Sequence, residues 1–114
     1  MQYLESLVNG VKVIKLIGNL DMLNAGLLKE NFKEPSSYTD IRIVLEISEV
    51  NFIDSSGFGL IMSIRDKLKQ NNGELKIANP SKTIRQIFRI SKVSSVIPLY
   101  ETLEDALQSF DQPT

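Results

Sequence analysis

The reactive groups of this sequence concentrate in Asp54-Ser55-Ser56-Gly57-Phe58-Gly59, where one carboxylate and two adjacent hydroxyls lie among glycines. A serine hydroxyl becomes a nucleophile only beside a base, and the chain contains no histidine and no cysteine. That composition excludes Ser-His and Cys-His catalysis, thiol chemistry, disulfides and zinc sites of the usual ligand types. Carboxylate chemistry remains open: Asp21, Asp54, Ser55 and Ser56 could form an acidic cluster that binds a metal or activates water. Only Glu46 and Glu49 stand near that cluster in sequence, and no base of suitable pKa accompanies it. Gly57-x-Gly59 has no lysine placed as in a P-loop, so it is a weak nucleotide signal. The plainest reading is that Asp54 or Ser55 caps a helix while Gly57 and Gly59 allow tight packing.

The elements that position this segment follow from periodicity. Residues 3–8 and 11–17 are β-type runs, and Asn9-Gly10 between them suits the positive φ angles of a two-residue hairpin turn. Gly18-Asn19 breaks the second run. Asn24 is a candidate N-cap for a helix reaching about Lys33, with Ala25, Leu28 and Phe32 on one face and Pro35-Ser36-Ser37 as its stop. Ile41, Ile43, Leu45 and Ile47 alternate with Arg42, Val44 and Glu46 and predict a strand. A loop over 48–54 then leads into a long helix from about Ser55 to Gln70, stopped by Asn72-Gly73.

At 100° per residue, Gly57, Leu60, Ile61, Ile64 and Leu68 form the stripe of that helix facing the sheet. Phe58 and Met62 fall off the stripe, near Arg65 and Lys69, and are expected to be exposed as a small apolar patch beside the serines. Scattered exposed hydrophobics are common, but a charge-rimmed patch beside a modifiable hydroxyl is also what a switchable docking surface requires. Further on, residues 75–78 predict a short strand, Asn79-Pro80-Ser81 a turn and cap, and Ile84, Ile87 and Phe88 a third helix. Residues 96–99 predict a last strand. Leu103, Ala106, Leu107 and Phe110 stack on one face of a final helix. The order β-β-α-β-α-β-α-β-α with short connections predicts an α/β fold: one domain over residues 1–110, a mixed β-sheet with an N-terminal hairpin, and about four helices packed on it. Residues 111–114 are expected to be a flexible tail.

A chain of 114 residues with 42% apolar and 24% charged side chains can bury one modest core. Its net charge of −1, without a basic run, argues against nucleic-acid binding. No apolar run approaches the roughly 20 residues that span a bilayer, and the first residues lack the basic and apolar regions of a secretory signal. The expectation is a cytoplasmic protein that needs no cofactor. Nothing in the sequence fixes its oligomeric state.

Residues 45–50, Leu-Glu-Ile-Ser-Glu-Val, followed by Asp54-Ser55-Ser56-Gly57-Phe58-Gly59, resemble the signature of the STAS domain in anti-sigma factor antagonists. The likeness extends to Gly18-Asn19-Leu20-Asp21, Asn79-Pro80 and Leu103-Glu104-Asp105-Ala106-Leu107. Phe58 replaces a common leucine, and residues 90–93 depart from a frequent Gly-Leu pair. The resemblance implies a non-enzymatic partner switch. The unmodified antagonist binds an anti-sigma factor that is itself a serine-protein kinase, so a sigma factor is released, and a serine phosphatase resets the system. It implies phosphorylation of Ser55, with Ser56 as a secondary candidate, and Asp21 and Asp54 as acidic residues close to that site. The expected partner-binding set is Asp21, Asp54, Ser56 and Gly57, to which helical geometry alone adds Phe58 and Met62. Phosphate is tolerated at a helix N-terminus, so modification is expected to act on binding and to spare the fold. A STAS scaffold or regulatory binding module that is never phosphorylated is the alternative, and an acidic-site metal-dependent enzyme a remote one.

Overall fold

The computed structural model describes residues 2–32 and 39–111. Strands β1 (Gln2–Val8) and β2 (Val11–Leu20) form the expected hairpin, and Asn9 (φ 51°) and Gly10 (φ 80°) both take the left-handed geometry its tight turn demands. Helix α1 (Met22–Lys29) and a 3-10 turn (Glu30–Phe32) follow, then β3 (Arg42–Ile53), α2 (Ser55–Gln70), β4 (Glu74–Ala78), α3 (Lys82–Ile90), a second 3-10 turn (Lys92–Ser95), β5 (Leu99–Tyr100) and α4 (Leu103–Ser109). The strands lie side by side in chain order, β1 antiparallel to β2 and every later neighbour parallel.

One face of the sheet carries the large core. Ile14, Leu16, Ile43, Leu45 and Ile77 meet Leu28 of α1, Leu60, Ile61, Ile64 and Leu68 of α2, and Ile84 and Phe88 of α3. Among the described residues the other face is covered by α4, where Ala106 packs on Val11, Val44 and Ala78 with Leu103, Leu107 and Phe110 alongside. The apolar stripes read for α2 and α4 therefore face the sheet as expected.

Four expectations need correction. The third strand does not stop at Ile47 but runs through the predicted loop to Ile53. Between the pairs Lys15↔Glu46 and Ile17↔Glu49, and again between Gly18↔Val50 and Leu20↔Ile53, β3 carries one more residue than β2. Each irregularity resets which side chains face the core, so the buried series runs Ile43, Leu45, Ile47 and then Val50, Ile53. Gly18 does not end β2: with φ 111° it carries the strand through this distortion.

Helix α1 begins two residues before Asn24, because Asp21 is its N-cap and accepts the Asn24 amide at 3.0 Å. Its predicted end at Lys33 and the stop at Pro35-Ser36-Ser37 lie outside the described residues, as does the tail beyond Asp111. The last strand is two residues long, since Val93 accepts the amides of Val96 and Ile97 in the preceding turn.

Candidate functional site at the start of the second helix

Strands β2 and β3 end side by side, and each passes directly into a helix. The Asp54 amide donates to the Leu20 carbonyl at 3.2 Å, tying the two exits together. Asp54 is the N-cap of α2: Oδ1 accepts the Gly57 amide at 3.0 Å, and Oδ2 accepts the amide of Met22, the first residue of α1, at 3.2 Å. Asp21 caps α1 in the same extended conformation. The two sequence-selected aspartates thus come together as two helix caps, with Asp54 bonded to the starts of both helices. Among the described residues no group of three acidic side chains is placed to hold a metal ion.

The cap leaves Ser55 outermost. Ser55 is exposed, opens α2 and makes no side-chain hydrogen bond among the described residues. Ser56, one residue on, is half-buried and turns into a groove of about 190 Å3 between α1 and α2, lined by Ala25, Gly26, Lys29, Gly59 and Ser63. Only Ser55 therefore offers a fully accessible hydroxyl. Gly57 is buried where the helix crosses the strand ends: a Cβ there would collide with the Leu20 carbonyl and lie 2.9 Å from Leu20 Cγ and Ile53 Cγ2. The glycine is a steric requirement for bringing the Ser55 turn against the sheet.

Phe58 and Met62 share the Ser55 side of α2 but are half-buried, not exposed as expected. Both pack on the large core, and the Phe58 ring meets Phe88 edge-on at 5.4 Å. Helical geometry placed them off the sheet stripe correctly, but it carried no information that α3 packs beside them. The exposed apolar groups at this end are others: Met22 and Leu23 are each 73% exposed and Phe52 is 50% exposed. Recognising Asp21 as the cap would have put Met22 and Leu23 at the first positions of α1, off its Ala25–Leu28 stripe. Phe52 was hidden inside the stretch taken for a loop.

Residues 7–106 match the STAS domain family. The chain belongs to that family. The anti-sigma-F factor antagonist RsfB of Mycobacterium tuberculosis is 29% identical over 99 residues, covering 87% of this chain and 80% of RsfB. The anti-sigma-B factor antagonist of Bacillus subtilis is 26% identical over 96 residues, covering 83% of this chain and 86% of its own. The fold is that of the anti-sigma factor antagonist SpoIIAA in its unphosphorylated form, with a TM-score of 0.78 at 23% identity over 99% of both chains. SpoIIAA of Bacillus in its phosphorylated form gives 0.69 at 24% identity, over 96% of this chain and 99% of that one. The expected fold, one STAS-type α/β unit with a mixed sheet and four helices, is therefore observed. No helix among the described residues is long and apolar enough to cross a membrane.

Proposed function

We propose that this STAS protein is a cytoplasmic anti-sigma factor antagonist, a regulatory binding protein switched by phosphorylation of Ser55. Unmodified, it binds an anti-sigma factor and thereby releases a sigma factor. The anti-sigma factor is a serine-protein kinase that transfers the γ-phosphoryl group of ATP to Ser55 Oγ, the bond to the leaving ADP breaking and the hydroxyl proton being lost, and a serine phosphatase hydrolyses the ester to serine and inorganic phosphate.

The observation that carries this reading is the exposed Ser55 hydroxyl, without a bond among the described residues, next to the Asp54 cap that joins the starts of both helices. The docking surface on this reading is Ser55 with Asp21, Asp54 and Ser56, the exposed Met22, Leu23 and Phe52, and the uncovered parts of Phe58 and Met62 on the same side of α2. Gly57 holds that surface in place.

Physical chemistry favours control of binding over control of folding. A phosphate at Ser55 meets the positive end of α2 and its free amides, which stabilise an anion there. Against a docked partner, the added charge of about −1.5 to −2 would be stripped of water beside Asp54 and an apolar patch, and repelled by any carboxylate pairing set up for the unmodified form.

The test is capture from lysate of the source organism with wild-type, Ser55→Ala and Ser55→Asp baits, followed by incubation of the captured partner with ATP. An ATPase held by wild type and Ser55→Ala but not by Ser55→Asp, which phosphorylates wild type and not Ser55→Ala, is the expected outcome. Equal capture by all three baits, with no phosphoprotein formed, contradicts the switch and leaves Ser55 as the first residue of a capped helix.

A further inference from the structure

At the opposite end of the sheet, where β3 and β4 begin and α2 and α4 end, lies an open cleft of about 440 Å3. Its volume falls within the roughly 300–1,000 Å3 of small-molecule sites. Arg42, Lys69 and Lys76 line it against a single carboxylate, Glu74.

These cations have few partners. The Lys76 side chain is only 6% exposed and forms a long ion pair with Glu74 at 3.8 Å. Its ammonium makes one hydrogen bond, donated to Ser109 Oγ at 2.6 Å, and otherwise faces the Phe110 ring at 3.9 Å and the Tyr100 ring at 5.6 Å. With one of its three donors hydrogen-bonded and its ion pair long, this ammonium keeps donors for a further acceptor. Arg42 has one long bond to the Phe110 carbonyl at 3.5 Å and lies 5.7 Å from the centre of its ring. Lys69 has no side-chain partner among the described residues.

We propose that this cleft binds a small oxyanion of the phosphate or phosphomonoester class, held between Arg42, Lys69 and Lys76. The planar guanidinium offers paired donors to two oxygens of such a group, and the two ammoniums neutralise it from other sides. Ser109 Oγ, already bonded to Lys76, lies at the same wall. The site is remote from Ser55 and independent of whether that residue is modified.

Backbone-amide NMR titration tests it, with inorganic phosphate in one arm, glycerol phosphate in a second and sodium chloride at matched ionic strength in a third. Saturable shifts at Asn72, Gly73 and Ser109 with either phosphate, absent with chloride, are expected. Tighter binding of glycerol phosphate assigns the site to a phosphomonoester, and equal or weaker binding to free phosphate. Arg42→Ala and Lys69→Ala, both at exposed positions, should each weaken binding roughly tenfold by removing one charge-assisted contact. No saturable shift, shifts confined to residues 55–57 at the start of α2, or unchanged affinity in both variants would overturn the proposal.

Discussion

The two ends of the sheet use charge in opposite ways. Where β2 and β3 finish, both aspartates are engaged by backbone amides, Asp21 at the start of α1 and Asp54 at the starts of both helices. Where β3 and β4 begin, Arg42, Lys69 and Lys76 face a cleft with one carboxylate among them. At the first end both carboxylates are already bonded while the Ser55 hydroxyl is free among the described residues, so a new charge arriving there has no structural bond to replace and can act on whatever is docked. The second end has three cations against one carboxylate, an excess that an incoming anion can balance. A fixed surface suits a covalent switch, and one with an excess of cations suits a ligand.

The largest effect should come from closing the space that fixes the first end. Gly57→Ala drives a methyl into the Leu20 carbonyl and against Leu20 and Ile53. It should cost about 3 kcal/mol, at the upper end of overpacking penalties because backbone must move. Thermal unfolding measures this, and an unchanged midpoint would mean the α2 crossing is looser than the geometry shows.

Asp54→Ala removes both cap bonds and should cost about 1–2 kcal/mol, whereas Asp54→Asn should recover only part of it, because its one amide oxygen can accept from Gly57 but its NH2 cannot accept from Met22. Equal stability of the two variants would show that the carboxylate is not committed to these amides.

Met22→Ser with Leu23→Ser sharpens the contrast between holding the fold and meeting a partner. Both side chains are largely in solvent, so stability should stay within about 0.5 kcal/mol, as for other surface substitutions. Affinity for the captured anti-sigma factor should fall roughly tenfold, the scale of an apolar contact at an interface. Calorimetry on the purified pair separates the two outcomes. Unchanged affinity would remove the apolar patch from the docking surface.

The smallest effect is expected at the exposed pair Lys15–Glu49, 3.0 Å apart. The hydrogen bond to Glu49 and its charge raise the Lys15 pKa above the ordinary 10.5, with a further small contribution from Glu46. A raised lysine pKa favours the folded state at pH below the unfolded value, and that contribution is lost as pH climbs through the raised one. Glu49→Gln should return the Lys15 pKa toward its ordinary value in an alkaline NMR titration, leaving the melting temperature at neutral pH nearly unchanged.

Much of this organisation is legible in the residues because local and global signals agree. Asn9-Gly10 can hardly do other than turn, α2 occupies the predicted residues, and the stripes Leu60–Leu68 and Leu103–Phe110 face the sheet as periodicity requires. What was not legible depends on neighbours. The far half of β3 breaks its alternation at two register shifts against β2, so Val50 and Ile53 follow Ile47 at three-residue spacing and mimic a loop. Asp21 and Asn24 both have capping side chains, and only the position of the β2 exit decides between them. The burial of Phe58 depends on Phe88 of a later helix. Of the candidate site, the position of the two serines at the start of α2 followed from the sequence, which left the cap open between Asp54 and Ser55. The apolar rim of Met22, Leu23 and Phe52 did not, because each depended on one of those misplaced boundaries.

The central claim is that charge at Ser55 acts on binding while the fold is spared. The most direct measurement compares unmodified and Ser55-phosphorylated protein, each titrated into the purified anti-sigma factor and each melted alone. The account predicts affinity at least roughly tenfold weaker on phosphorylation and unfolding midpoints that nearly coincide. Equal affinities, or weaker binding accompanied by an equivalent loss of stability, would contradict it.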